Sequence, residues 1–167
     1  MKCLCFSDSH GTALYIKRAL DKHPDAEVVF FLGDGLSDIE PLSERDYGKR
    51  MWLFVRGNCD LQAWVNGNAA KKTDEINLLG KRIVFTHGDL YGVKYGTDGA
   101  VRLGSERRAD VVLFGHTHEP LEKYVPTDDG GLYLFNPGSI GAGARGATYG
   151  VITIEGENIL FSHLSFL

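Results

Sequence analysis

Val111-Val112-Leu113-Phe114-Gly115-His116-Thr117-His118 is the stretch on which the reading of this chain turns. Its first four residues are apolar and largely β-branched, the pattern of a short strand buried on both faces. The two histidines therefore stand where a central strand opens into a loop. In an open α/β sheet, sites form in the crevice beyond the carboxyl ends of the strands. Paired histidines also occur on ordinary loops, so the pair gains meaning only from what ends the other strands.

Four more apolar runs end in comparable residues. Residues 2–7 lead into Asp8-Ser9-His10, and residues 27–32 into Gly33-Asp34-Gly35. Residues 51–55 lead into Arg56-Gly57-Asn58-Cys59-Asp60, and residues 82–86 into His87-Gly88-Asp89. A carboxylate and an imidazole two residues apart point the same way off an extended chain, as a shared ligand pair requires. Taken singly, each has an ordinary reading: Asp8 as a helix cap, Asp34 as a turn aspartate, Asn58 as a turn asparagine. Taken together, five strand ends carry Asp8, His10, Asp34, Asn58, His87, His116 and His118, including four of the six histidines. These donors suffice for two divalent metal ions if one carboxylate bridges them. A thiolate-free set of His, Asp and Asn suits Mn, Fe, Co, Ni or Zn better than Ca or a structural zinc.

Helical spacing over residues 12–23 predicts a helix with Thr12 as its N-cap, closed by Pro24. A short helix is expected at 41–46 within a polar loop, and another helix at 97–108. Residues 70–78 and 81–86 read as a hairpin joined at Leu79-Gly80, and residues 148–154 and 158–164 as a terminal hairpin. Residues 122–125 and 132–135 flank a turn at 127–131, and Asn136-Pro137-Gly138-Ser139 opens a second glycine-rich loop. The first half alternates strand and helix and the second is mostly hairpins. The expected fold is α/β: two packed, mixed sheets with helices outside, in a single domain over residues 1–167.

The chain has 167 residues, 43% of them hydrophobic, enough for a sizeable core. Its formal net charge of −4, without a basic stripe, argues against an electrostatically driven binder of polymeric nucleic acid. Three cysteines make no disulfide framework. Cys3 and Cys5 share one side of the first strand and read as buried small hydrophobes. No run approaches the ~20 apolar residues of a membrane span, and no signal peptide fits the start, so the expected location is the cytoplasm.

The ordered set Asp8-x-His10, Gly33-Asp34, Gly57-Asn58, His87-Gly88 and Gly115-His116-x-His118 closely resembles the calcineurin-like metallophosphoesterase superfamily, and Asn136-Pro137-Gly138-Ser139 extends the resemblance. The size and the Gly-Asn-Cys-Asp block look most like its small bacterial and archaeal phosphodiesterases, and are also similar to the eukaryotic retromer scaffold subunit. The resemblance implies a four-layer αββα sandwich. It implies that Asp8, His10 and His118 hold one metal, that Asn58, His87 and His116 hold the other, and that Asp34 bridges. It implies a phosphoesterase, foremost a phosphodiesterase, with two divalent ions (manganese first; Ni, Fe, Co or Zn otherwise). The implied substrate is a small phosphodiester or nucleotide-like molecule, and the default assembly a homodimer. A scaffold that works by binding partners, with Trp64 in an interface, and a nuclease are the alternatives. Asp60 and Asp89 are candidates for orienting the ligand imidazoles.

The chain departs from the family at Cys59, where many relatives carry a histidine as general acid or phosphate contact. Two readings stand: Cys59 takes that catalytic place, or it only packs. Arg145, in the glycine-rich loop at 141–146, is either a bidentate substrate-phosphate contact or a solvated loop residue. A thiol titrates near pH 8.5 and donates weakly, so it replaces an imidazolium poorly. Leaving-group protonation should therefore be weak, and diesters or activated leaving groups favoured. Cys59→His is expected to raise the rate on esters with poor leaving groups about tenfold or more, with little change on activated ones. An unchanged dependence of rate on leaving-group pKa contradicts this reading.

Overall fold

The computed structural model describes residues 1–127, 130–141 and 146–166. The apolar runs are strands, and their alternation sets the layers. β1 (Lys2–Phe6), β2 (Val28–Phe31) and β3 (Met51–Phe54) run parallel, with Cys3 opposite Val28 and Phe6 opposite Phe31. Cys3, Cys5, Val28, Phe30 and Leu32 face one way, into the core between the two sheets. Leu4, Phe6, Val29 and Phe31 face the other, under the helices. Both faces are covered, which is why these strands read as continuous apolar runs rather than alternating ones. The pairing of Cys3 and Cys5 on one side agrees with the expectation.

The second sheet repeats the plan. β7 (Lys81–Thr86), β8 (Val111–Leu113) and β10 (Leu132–Pro137) run parallel. Antiparallel strands extend the first trio on the β1 side only and the second on both sides, giving the orders β12-β11-β1-β2-β3 and β6-β7-β8-β10-β9. Here β6 is Thr73–Leu78, β9 Pro120–Val125, β11 Ala147–Glu155 and β12 Asn158–Phe166.

Three apolar clusters hold the layers together. The inter-sheet cluster joins β1 and β2 to Ile83, Phe85, Val111, Leu113 and Phe135, with Phe30 and Phe85 in edge-on contact at 5.3 Å. Outside the first sheet, α1 (Leu14–Lys22) contributes Ile16, Ala19 and Leu20, and α2 (Leu36–Arg45) contributes Leu36 and Ile39. Outside the second, α3 (Asp98–Arg107) packs Ala100 and Leu103 on Val84, Val112 and Leu134. The result is helix, sheet, sheet, helix, with two mixed sheets, as expected. Parallel strands place their carboxyl ends along one edge, so both trios can offer loops to one crevice.

Several local expectations are corrected. The helix expected at 41–46 begins at Leu36, directly after Gly35, and carries Pro41 inside it. Its first backbone donors, Gly35 and Leu36 N–H, are taken by the Asp60 carboxylate from another loop. That cap cannot be seen in the local sequence. Thr12 is not the cap of α1; Ala13 holds that position without a side-chain bond. Asn136 and Pro137 end β10 rather than open a loop. A small hairpin, β4 (Trp64–Val65) with β5 (Asn68–Ala69), is additional. The expected turn at 127–131 and loop at 141–146 lie partly outside the described residues. Among the described residues, no helix is long and apolar enough to cross a membrane.

Candidate metal centre

The five strand ends converge. Asp8 follows β1 and is fully buried. Its Oδ2 accepts hydrogen bonds from Ser7 Oγ and from the N–H of His116, 3.1 Å away, which ties the first sheet to the second. Its Oδ1 has no hydrogen-bond partner. That oxygen stands 3.1 Å from His118 Nε2 and 3.7 Å from His10 Nε2. The two imidazole nitrogens face each other at 3.2 Å. A buried carboxylate oxygen without a bond is costly unless a cation faces it, and two imidazoles converging on it supply the remaining donors of such a site.

A second cluster adjoins it. His87, fully buried, donates from Nδ1 to the Leu32 carbonyl at 2.8 Å. That bond fixes the tautomer of the neutral ring and leaves the Nε2 lone pair free to bind a cation. Nε2 lies 3.1 Å from Asn58 Oδ1, 3.1 Å from His116 Nδ1 and 3.4 Å from Asp34 Oδ2. Asp34 Oδ1 accepts the Cys59 N–H at 2.8 Å, so the carboxylate is held between the loops that follow β2 and β3. Asp8, His10 and His118 form one potential metal-holding group, and Asp34, His87 and His116 another. The ligand set read from the sequence is thus brought together, with Asn58 beside the second group.

The backbone is shaped for this convergence. Asp8, His10, Asp34, His116 and His118 all adopt left-handed conformations, with φ between 45° and 68°. Each costs about 1–3 kcal/mol unless the surroundings fix it. Gly57 and Gly115 let the loops close in. A Cβ at Gly57 would lie 2.0 Å from Asp34 Oδ1, and one at Gly115 1.9 Å from Ser7 Oγ.

Charges follow the geometry. Burial works to raise the Asp34 carboxyl, but the His87 bond and charge and the Cys59 N–H hold it well below the usual carboxylate range. His87 is lowered by burial yet ends above its ordinary value, because Asp34 and Asp8 favour its protonated form. The Asp8 carboxylate, 3.1 Å away, raises His118. Burial and then His87 lower His116. Carboxylates that draw protons onto His87 and His118 also favour metal cations, whose binding displaces those protons.

Three supports were not read from the sequence. Asp60 does not orient an imidazole. It accepts four backbone N–H groups, from Asp34, Gly35, Leu36 and Gly57, at 2.8–2.9 Å. Asp89 pairs with Lys72 at 3.2 Å instead of an imidazole; the His87 ring is set by a backbone carbonyl, which no side-chain pattern reveals. Asn136, fully buried, donates to the Gly115 carbonyl and Thr117 Oγ1, and Ser139 Oγ donates to the Asp8 carbonyl. The Asn-Pro-Gly-Ser block is therefore a strap across both ligand loops. His23 bonds Tyr149 and His163 bonds the Asn136 carbonyl, so both are structural. Cys59 and Trp64 are exposed. Arg145 lies outside the described residues.

The match to known proteins covers this whole arrangement. Residues 1–158 match the model of the calcineurin-like phosphoesterase superfamily domain. The chain belongs to that superfamily. It is 30% identical over 161 residues to the probable metallophosphoesterase YsnB of Bacillus subtilis, covering 94% of this chain and 86% of that protein. It is 28% identical over 171 residues to the phosphodiesterase YfcE of Escherichia coli K12, covering 91% and 87%. A predicted phosphoesterase of Streptococcus pneumoniae, a solved structure, superposes with a TM-score of 0.76 at 26% identity, covering 98% of this chain and 88% of that one.

The Asp60 hub generates a test. Asp60→Ala removes the acceptor of four backbone donors and is expected to destabilise the fold by about 2–3 kcal/mol in urea denaturation, and to weaken metal binding. A variant with unchanged stability and metal affinity contradicts the hub.

Proposed function

We propose that this chain is a metal-dependent phosphodiesterase whose centre takes two divalent cations. Asp8, His10 and His118 would hold one, Asn58, His87 and His116 the other, and Asp34 both, which its two oxygens allow. The observation that carries the proposal is the buried, unbonded Asp8 Oδ1 facing two imidazoles, next to a second oxygen and nitrogen cluster around Asp34. Manganese is the first candidate, with Ni, Fe, Co and Zn compatible with the same donors. When bound, such a pair lowers the pKa of a shared water to give the nucleophile for in-line attack and neutralises charge on the phosphoryl oxygens.

The remaining chemistry belongs to the chain. His87, anchored through Leu32, and Asp34, anchored through Cys59 N–H, stay fixed while charge develops, so little reorganisation is needed during reaction. Asn58 contributes a neutral oxygen, which avoids over-neutralising the centre. His10, Asn58, Cys59 and His118 are exposed and form the face that a substrate meets. Lys94, on an exposed turn, acts electrostatically on both His116 and His118 and adds positive charge beside that face. A net charge of −4 favours a small, nucleotide-like diester over a polymer that needs many phosphate contacts. The thiol in the position after Asn58 is raised by its bond to Asp34 and by burial, so it is a weak proton donor. Diesters with good leaving groups suit such a site better than monoesters with poor ones. A homodimer is the proposed assembly.

The test is hydrolysis of a chromogenic diester and its matching monoester by metal-stripped protein, with Mn, Ni, Zn, Mg or no metal restored. Metal-dependent activity that prefers the diester is expected, with oligonucleotides poorer still. Asp34→Asn should lower it by about a hundredfold or more. Equal activity without metal, or in Asp34→Asn, contradicts the proposal.

A further inference from the structure

We propose that Lys72 is the positioning residue of the cation site formed by Asn58, His87 and His116: its ammonium ties the loop after β3 to the loop after β7 and so holds Asn58 against His87. The inference rests on the metal-centre reading above and deepens it at one of the two sites. Asn58 follows a strand of the first sheet and His87 a strand of the second, yet Asn58 Oδ1 and His87 Nε2 lie 3.1 Å apart. Lys72 Nζ donates to the Gly57 carbonyl at 2.9 Å and to Asp89 Oδ2 at 3.2 Å. Gly57 immediately precedes Asn58, and Asp89 comes two residues after His87. One side chain thus bonds both loops next to the donors they carry.

The chain crosses from one sheet to the other at this point. Lys71 pairs with Val55, just past β3, and Thr73 pairs with Thr86 at the end of β7. Lys72 stands between them, and its carbonyl accepts Thr86 Oγ1 at 2.9 Å. Its backbone is therefore fixed, and the partly buried side chain starts from a set position. The Gly57 carbonyl belongs to the same peptide unit as the Asn58 N–H. Peptide units are planar, so a bond to that carbonyl sets the plane from which the Asn58 side chain departs. On the other side, Tyr91 bonds Thr73 at 3.0 Å, so Lys72 and Thr73 together hold the loop after β7. Asp89 Oδ1 is buried without a hydrogen bond, and Lys72 is the one ion-pair partner of Asp89 among the described residues. Withdrawal of the ammonium would strand that carboxylate, which keeps the tie closed.

Stepwise manganese binding provides the test. Lys72→Met alone would leave Asp89 unpaired, so the main variant is Lys72→Met with Asp89→Asn, which removes both charges, and Lys72→Arg is the conservative one. Metal-stripped proteins are titrated with manganese chloride. Equilibrium dialysis counts the bound ions, and electron paramagnetic resonance separates a lone manganese ion, with its six-line signal, from a spin-coupled pair. In the double variant the first ion is expected to bind within about threefold of wild type while the second weakens about 10–100-fold. The coupled signal then gives way to six lines at manganese levels that fill wild type, and Lys72→Arg keeps the coupled pair. Adding Asn58→Ala is expected to weaken the second step far less in the double variant than in wild type, because the residues act as one unit. Two unchanged steps, two equally weakened steps, or a fully additive effect of Asn58→Ala overturns the inference and leaves the metal centre standing. Fewer than two ions bound to wild type overturns both.

Discussion

The constraint on which the structure depends is the burial of Asp8 with one carboxylate oxygen left without a hydrogen bond. Taking a carboxylate out of water costs several kcal/mol unless its oxygens are satisfied. Here the chain satisfies one oxygen twice, through Ser7 and the His116 N–H, and aims the other at two imidazoles. The same crowding recurs at His87, whose free nitrogen meets an amide oxygen, a second imidazole and a carboxylate, each within 3.4 Å. Neighbouring donors at such distances repel unless protons or cations stand between them. Divalent cations would satisfy both clusters at once.

Much of the remaining architecture serves to hold this cluster closed. Two trios of parallel strands bring their carboxyl ends to one crevice, and the inter-sheet core fixes the trios against each other. Asp60 gathers the loops after β2 and β3, and Asp38 bonds Ser9 and the Gly11 N–H of the loop after β1. Asn136 and Ser139 strap the loops after β8 and β1. Five left-handed residues at the strand ends are tolerated because these bonds determine them from several sides. The cost of that strain is met by packing and hydrogen bonds outside the centre.

The convergence of Asp8, His10, Asp34, Asn58, His87, His116 and His118 was legible because buried parallel strands leave an unmistakable apolar run, and each of these residues follows the end of one. The layers were legible for the same reason: Cys3 and Cys5 alternate with Leu4 and Phe6, and the two faces found different cores. Supports that act across the chain were not legible. The start of α2 depends on a carboxylate 24 residues away, and the orientation of His87 on the carbonyl of Leu32, 55 residues away. Asp60 and Asp89 looked equivalent in the sequence, each an aspartate close after a donor. Asp60 became a hub for backbone N–H groups, while Asp89 became the partner of Lys72. Only tertiary proximity separates the two roles.

The central claim is that the two clusters take two cations that share Asp34. Diffraction from crystals loaded with manganese, measured on either side of its absorption edge, tests it directly. The account predicts two anomalous peaks per chain, one among Asp8, His10 and His118 and one among Asn58, His87 and His116, with Asp34 touching both. A single peak, no peak, or a pair that Asp34 does not contact contradicts it.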